Sequence, residues 1–440
     1  MRTIAICLFV LCALGCSKES SDEMRSTSIK VLDTETDYLA RSIVNLPDGS
    51  VIMGSVALED ENGGAAYGSK PSIIAKYNPQ GNLEWVIDLP QEVYVLWKCI
   101  ALDNGNILAL GFGDSPNSKN IGAAIISAEG EVLFIESVFN DVPFGLGSGR
   151  IENSVDAIQT ELGNILLVMP HQIGSGFLTI PRIIVLDMEL SILQDIDYVN
   201  LEGLEENSLN QLSIAQATDG KVFISGRIYS SANPLRNPFI GVINLNSSLD
   251  VVYSRLFSAA STPLDGGSLF QIIRTEIASN IALNASGSPV FVASLRNPGD
   301  SLFEPVFNLR DQDIFMRAPQ LGLWQITSPA VEDPVKQISG FPANAIIQKI
   351  KSTSDGGFIM VGTCGINTNQ AISSQYRMLV VKTDGALNVQ WMYHPQMQFA
   401  TLGADVIESA GGYIVTATQY SLGEINKPFF LRLTQSGILQ

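Results

Sequence analysis

Few residues in this chain could carry chemistry. It has 440 residues but only two histidines, and five cysteines. His171 and His394 stand far apart in sequence, and neither sits in an HExxH run or any other zinc-ligand spacing. Both read as solvated loop residues, and no metal site is assigned. The run Glu59-Asp60-Glu61-Asn62-Gly63 offers oxygen ligands. It lacks the alternating spacing with which a calcium loop wraps its ion, so it reads as a solvated acidic loop. Gly145 to Arg150 reads GLGSGR. A phosphate cradle opens a helix, whereas this stretch opens none and reads as a linker between structural units. The chain has no GxSxG elbow, no Ser/His/Asp grouping and no cofactor fingerprint. No catalytic residue and no cofactor is assigned, and the ligand-binding residues stay unassigned. Carboxylate pairs for glycoside cleavage come from distant loops and leave no local signature, so that route stays open.

The cysteines point elsewhere. Cys7, Cys12 and Cys16 crowd the first 16 residues, and only Cys99 and Cys364 remain in the body. The chain opens MRTIAICLFVLCALGCSKESSDE. One arginine precedes a short apolar run, then small Gly15 and Cys16. That is the pattern of a secretory signal, too short to span a bilayer as a mature helix. Leu14-Gly15-Cys16 resembles the lipobox of bacterial lipoproteins, with Ala13 where that family usually has Leu. The resemblance implies cleavage before Cys16 and lipidation of Cys16. The following Ser17-Lys18-Glu19-Ser20-Ser21-Asp22-Glu23 resembles the export signals of Bacteroidota surface lipoproteins, although no acidic pair directly follows Lys18. It implies an outer-membrane, lipid-anchored protein facing the cell exterior. The expected division is a signal peptide over 1–15, a flexible tether over 16–27 and one domain over 28–440.

That domain is a repeat. Aligned on a turn glycine, seven units read PDGSVIMGS (Gly49), DNGNILALG (Gly105), ELGNILLVM (Gly163), TDGKVFISG (Gly220), ASGSPVFVAS (Gly287), SDGGFIMVG (Gly356) and SAGGYIVTA (Gly411). The spacing runs from 55 residues (Gly356 to Gly411) to 69 (Gly287 to Gly356). Returns of this length indicate propellers or solenoids. Each unit has a β-like segment, the tight turn, a buried apolar run and a longer polar loop. A third strand such as SIIAKY or MLVVKT follows, then a second turn such as NPQG, SAEG or KTDG, then a fourth strand. Four antiparallel strands make a propeller blade. The last unit nearly lacks a fourth strand, while SIKVLDTE, from Ser28, precedes the first unit at fourth-strand spacing. The expectation is an all-β, seven-bladed propeller whose N-terminal strand completes the last blade. Unit five is irregular, with DIFMRAP and LWQITS as its expected third and fourth strands.

On such a ring Cys99 and Cys364 fall in units too far apart for a disulfide, which needs Cα atoms within about 7 Å. Both are expected as free, mostly buried thiols. Trp85 and Trp391 share a phase in their fourth strands and are expected to pack between blades. Tyr94, Trp97 and Trp324 could stack on sugars or serve packing. Asp300-Ser301-Leu302 resembles the O-glycosylation acceptor of Bacteroidota secreted proteins.

The formal charge is −18 with no basic cluster, which excludes nucleic acid and charge-driven binding to anionic surfaces. The whole chain resembles the propeller lipoproteins of Bacteroidota. A rigid ring without catalytic residues, held on a tether, is expected to act as a non-catalytic protein-binding or scaffold module through its long-loop face. The alternatives are glycan binding in a polysaccharide-uptake system, or a polysaccharide-degrading enzyme.

Overall fold

The computed structural model describes residues 28–57, 70–113, 120–139, 155–172, 179–199, 201, 207–230, 239–258, 262–263, 269–274, 281–296, 305–309, 312–315, 320–325, 336–338, 340, 344–366, 376–397, 399–420 and 425–440. They form an all-β propeller with six regular four-stranded antiparallel blades, rather than the seven expected, and one irregular six-stranded sheet.

β1 (Ile29–Val31) precedes the first blade, which is β2 (Tyr38–Asn45), β3 (Val51–Ala57), β4 (Ile73–Tyr77) and β5 (Leu83–Asp88). The second blade is β6 (Val95–Ala101), β7 (Ile107–Phe112), β8 (Ile121–Ile126) and β9 (Val132–Phe139). The third is β10 (Asp156–Gln159), β11 (Ile165–Gln172), β12 (Thr179–Leu186) and β13 (Ile192–Asp197). The fourth is β14 (Asn207–Gln216), β15 (Val222–Ser230), β16 (Phe239–Leu245) and β17 (Val251–Ser258). An irregular sheet follows, built from β18 (Thr262–Pro263), β19 (Leu269–Arg274), β20 (Ile281–Leu283), β21 (Pro289–Arg296), β24 (Gln320–Gln325) and β25 (Lys336–Ile338). β22 (Pro305–Leu309) and β23 (Gln312–Phe315) make a separate hairpin between β21 and β24. The penultimate blade is β26 (Asn344–Ser352), β27 (Phe358–Ile366), β28 (Arg377–Thr383) and β29 (Val389–Tyr393). The last blade is β30 (Ala400–Ser409), β31 (Gly412–Tyr420) and β32 (Lys427–Thr434), with β1 on its outer edge.

The turn glycines explain the hairpins. Gly49, Gly105, Gly163, Gly220, Gly287 and Gly356 all hold φ between 75° and 85°. A side chain disfavours that conformation, and it lets one tight turn reverse the chain. Burial then falls from the middle of each blade outward. β3, β4 and β8 are buried along their whole length, whereas β5, β9 and β13 are mostly exposed. Middle strands need apolar residues on both faces because a neighbouring blade covers each face. The core is accordingly a chain of clusters between blades. Ile52, Ile74, Leu96 and Ile107 join the first blade to the second. Leu110, Ile125, Ile165 and Leu167 join the second to the third. Ile43, Met53, Ile414 and Phe430 join the last blade to the first.

Unit five departs from expectation. DIFMRAP does not supply the third blade strand: Asp313–Phe315 belong to the β22–β23 hairpin. Leu323–Gln325 lie in β24, which pairs with β21 as a third strand, and β25 takes the fourth place. The first strand is split into β19 and β20, both paired to β21.

In the last blade, Ile29, Lys30 and Val31 pair antiparallel with Leu431, Phe430 and Phe429. Leu439 bridges Leu433 on the same edge. The outer strand is therefore shared by residues from the two ends of the sequence. Lys30 also packs its aliphatic stem over Gly81 of the first blade.

Candidate functional site

The innermost strands carry a repeated irregularity. Residues 41, 97, 348 and 404 are each an extra residue against the partner strand, and β14 bulges between Asn210 and Ser213. A bulge kinks the strand and re-aims the residue that follows. Those following residues are Ser42, Lys98, Ser213, Lys349 and Asp405, and Asp156 holds the same phase in β10. Each stands seven residues before its blade's turn glycine, counting from Gly412 in the last blade. The repeat thus sets a ring of polar side chains around the central channel.

Two carboxylates tie this ring together. Asp156 Oδ1 accepts the Ala157 N–H at 2.9 Å and the Lys98 ammonium. Its Oδ2 accepts the Ser213 hydroxyl at 2.8 Å and the Ile214 N–H at 3.1 Å, both from the fourth blade. Asp405 repeats the plan. Its Oδ1 accepts the Val406 N–H and the Lys351 ammonium, each at 2.8 Å. Its Oδ2 accepts the Ile43 N–H at 3.1 Å and the Ser42 hydroxyl at 3.5 Å, both from the first blade. Ser42 in turn accepts the Cys99 N–H at 3.1 Å from the second blade. Burial alone would raise the Asp156 pKa, but Lys98 and then Lys349 hold it below the usual carboxylate range. These groups join inner strands that would otherwise meet with unpaired backbone N–H groups.

Outside the channel, His171 lies within β11 rather than in a loop, because its backbone pairs with Ile180. Its Nδ1 is 2.9 Å from Asp197 Oδ1. Arg182 forks onto Asp195, reaches both ring nitrogens of His171 at 3.3 Å, and lies 4.7 Å from the Phe139 ring centroid. This cluster joins the second and third blades at the long-loop end. His394 follows β29 at the same end and is partly buried.

Trp85 and Trp391 do the same job, as their shared phase predicts. Trp85 Nε1 donates to Ala128 O at 3.2 Å, and its ring covers Gly130 of the next blade. Trp391 Nε1 donates to Gln435 O at 2.9 Å, and its ring covers Gly437. Trp97 packs edge-on to Phe112, and Tyr94 closes the short 3-10 turn Gln91–Val93. The backbone of Trp324 lies in β24. Cys99 and Cys364 are free and buried. Burial pushes the Cys364 thiol up to about 12, so neither cysteine is placed as a reactive thiolate. Among the described residues no three His, Cys, Asp or Glu side chains are grouped to hold a metal ion. Cys16, the signal, the tether, the run from Glu59 to Gly63, GLGSGR and Asp300-Ser301-Leu302 lie outside the described residues.

Sequence reading missed the polar ring. Its signal was present as a fixed offset from the turn glycine, but the residue types differ from blade to blade. No motif search finds a position occupied by Ser, Lys or Asp in turn.

No family model and no curated protein matches this chain. Similar solved structures include an ulvan lyase, of a family of polysaccharide lyases, bound to -[GlcA(1-4)Rha3S]-. It is 10% identical with a TM-score of 0.54, covering 93% of this chain and 97% of its own. The polysaccharide lyase Uly1 is 10% identical with a TM-score of 0.50, covering 95% and 96%. At that identity the likeness shows the propeller fold alone.

Proposed function

We propose that the chain is a lipid-anchored, surface-exposed propeller of Bacteroidota type that binds a protein partner through its long-loop face and does not itself catalyse a reaction. Cys16 carries the lipid, residues 16–27 form the tether, and seven blades close through β1. The observation that carries this reading is the direction of β1. Ile29 pairs with Leu431 and Val31 with Phe429, so the chain enters this strand from the short-turn end and runs toward the long loops. A tether preceding Ile29 therefore starts on the side opposite the long loops, leaving them free to face outward. The carboxylates of the ring support a scaffold role, since their oxygens are committed to joining blades.

Changing Cys16 to Ala is expected to release the protein from the membrane fraction. Continued attachment would refute the lipid anchor.

A second reading rests on the His171 cluster. A histidine backed by Asp197, beside a guanidinium and an aromatic ring, could take up an acidic sugar at the long-loop face. The propeller neighbours named as polysaccharide lyases give that reading its chemical class. Incubation with acidic polysaccharides, followed by assay for unsaturated uronate ends, separates the readings. Turnover that is lost in His171→Ala would displace the non-catalytic one.

A further inference from the structure

We propose that the polar ring of the inner strands binds one small monovalent anion, a halide or a carboxylate, against Lys349. Lys349 occupies the ring position of the penultimate blade, directly after its bulge. Its charge is felt by Asp156, Lys98, Asp405 and Lys351. The third blade packs on the second and the fourth, whereas the penultimate blade packs on the irregular sheet and the last blade. The interaction of Lys349 with Asp156 and Lys98 therefore runs across the lumen, not along its wall.

A carboxylate offers about four lone-pair sites. Asp156 uses four: Lys98, Ala157 N–H, Ser213 and Ile214 N–H. Asp405 also uses four: Lys351, Val406 N–H, Ser42 and Ile43 N–H. Neither has a site left for Lys349, which makes no hydrogen bond or ion pair with a described residue. Among the described residues three ammonium groups thus face two carboxylates, and the Lys349 ammonium is the one left without a hydrogen-bond acceptor. Burial first, and the repulsion of Lys98 and Lys351, lower the Lys349 pKa while it stays unpaired. A bound anion answers both the charge and the donors. A cation would find no free oxygen on Asp156 or Asp405. One excess charge among the described residues matches a monovalent ion.

The test uses the detergent-solubilised full chain, with bromide and formate as probes and gluconate, a bulkier anion, holding ionic strength constant. Melting temperature is expected to rise by about 1–3 °C for each tenfold increase of bromide or formate beyond its dissociation constant. Lys349→Met should abolish that rise. Bromide-soaked crystals of the unaltered protein give an independent readout should that variant fail to fold. An anomalous peak within hydrogen-bond reach of Lys349 Nζ is expected. If neither probe moves the melting temperature and no bromide lies beside Lys349, the proposal is overturned. An equal response in Lys349→Met overturns it as well. The larger response identifies halide or carboxylate as the preferred ion.

Discussion

At the residue scale, a few buried polar side chains join the inner strands of neighbouring blades. Asp405 is 3% exposed. Replacing it with Ala leaves the Ile43 and Val406 N–H groups and the Lys351 ammonium without their acceptor. The expected loss is about 3–5 kcal/mol in denaturant unfolding. A loss within about 0.5 kcal/mol, the range of an ordinary surface change, would remove Asp405 from its structural role. Asp355 makes a pH prediction. Burial alone would raise its pKa, but hydrogen bonds from Lys382, Thr353 and the Gly357 N–H bring it to about 2. A carboxyl lowered in the fold adds stability above its unfolded value near 3.9, and that stability is lost as pH falls toward 2. Melting temperature should therefore drop between about pH 4 and pH 2, and less steeply in Lys382→Met. An unchanged slope in the variant would show that this pair does not set acid stability.

At the element scale, blades are joined by a tryptophan over a turn glycine. Gly437 holds φ +78°, and a Cβ there would come within 2.6 Å of the Trp391 ring. Gly437→Ala is expected to cost about 1–3 kcal/mol, and Trp391→Ala about 2–3 kcal/mol. If the double variant loses no less than the sum of the two, the contact is not shared. The hairpin grammar was legible in six of the seven units because a positive-φ glycine leaves a fixed mark; in the last unit the positive φ falls on Gly412 rather than on the aligned Gly411. Two features were not. In KTDG the left-handed residue is Leu387, at φ 64°, rather than Gly385, and Leu190 and Leu249 repeat this. Asp384 Oδ1 accepts the Ala386 and Asn388 N–H groups and holds that turn, while the leucine side chain is buried between blades. The strain of about 1–2 kcal/mol is offset by burial of about the same size or more, so no glycine is needed. The irregular sheet escaped for another reason. Its first strand is divided between β19 and β20, and a hairpin enters before its third strand, which breaks the repeat phase.

At the scale of the whole molecule, the last blade draws its outer strand from Ile29–Val31, and Lys30 lies over Gly81 of the first blade. Deleting residues 28–31 leaves β32 without that pairing and uncovers Gly81. A lower melting temperature and a broader transition are expected, read by calorimetry. An unchanged transition would show that β1 is not needed to hold the ring.

The central claim concerns which face meets a partner. The most direct measurement places a photo-crosslinking residue at His394, at the long-loop end, or at Leu162, in an exposed turn at the opposite end. Cells carrying the full chain are irradiated, the membranes solubilised in mild detergent, and the crosslinked products weighed. The account predicts one discrete, stoichiometric protein adduct from His394 and none from Leu162. The same adduct from Leu162 alone, or no adduct from either end, would contradict it.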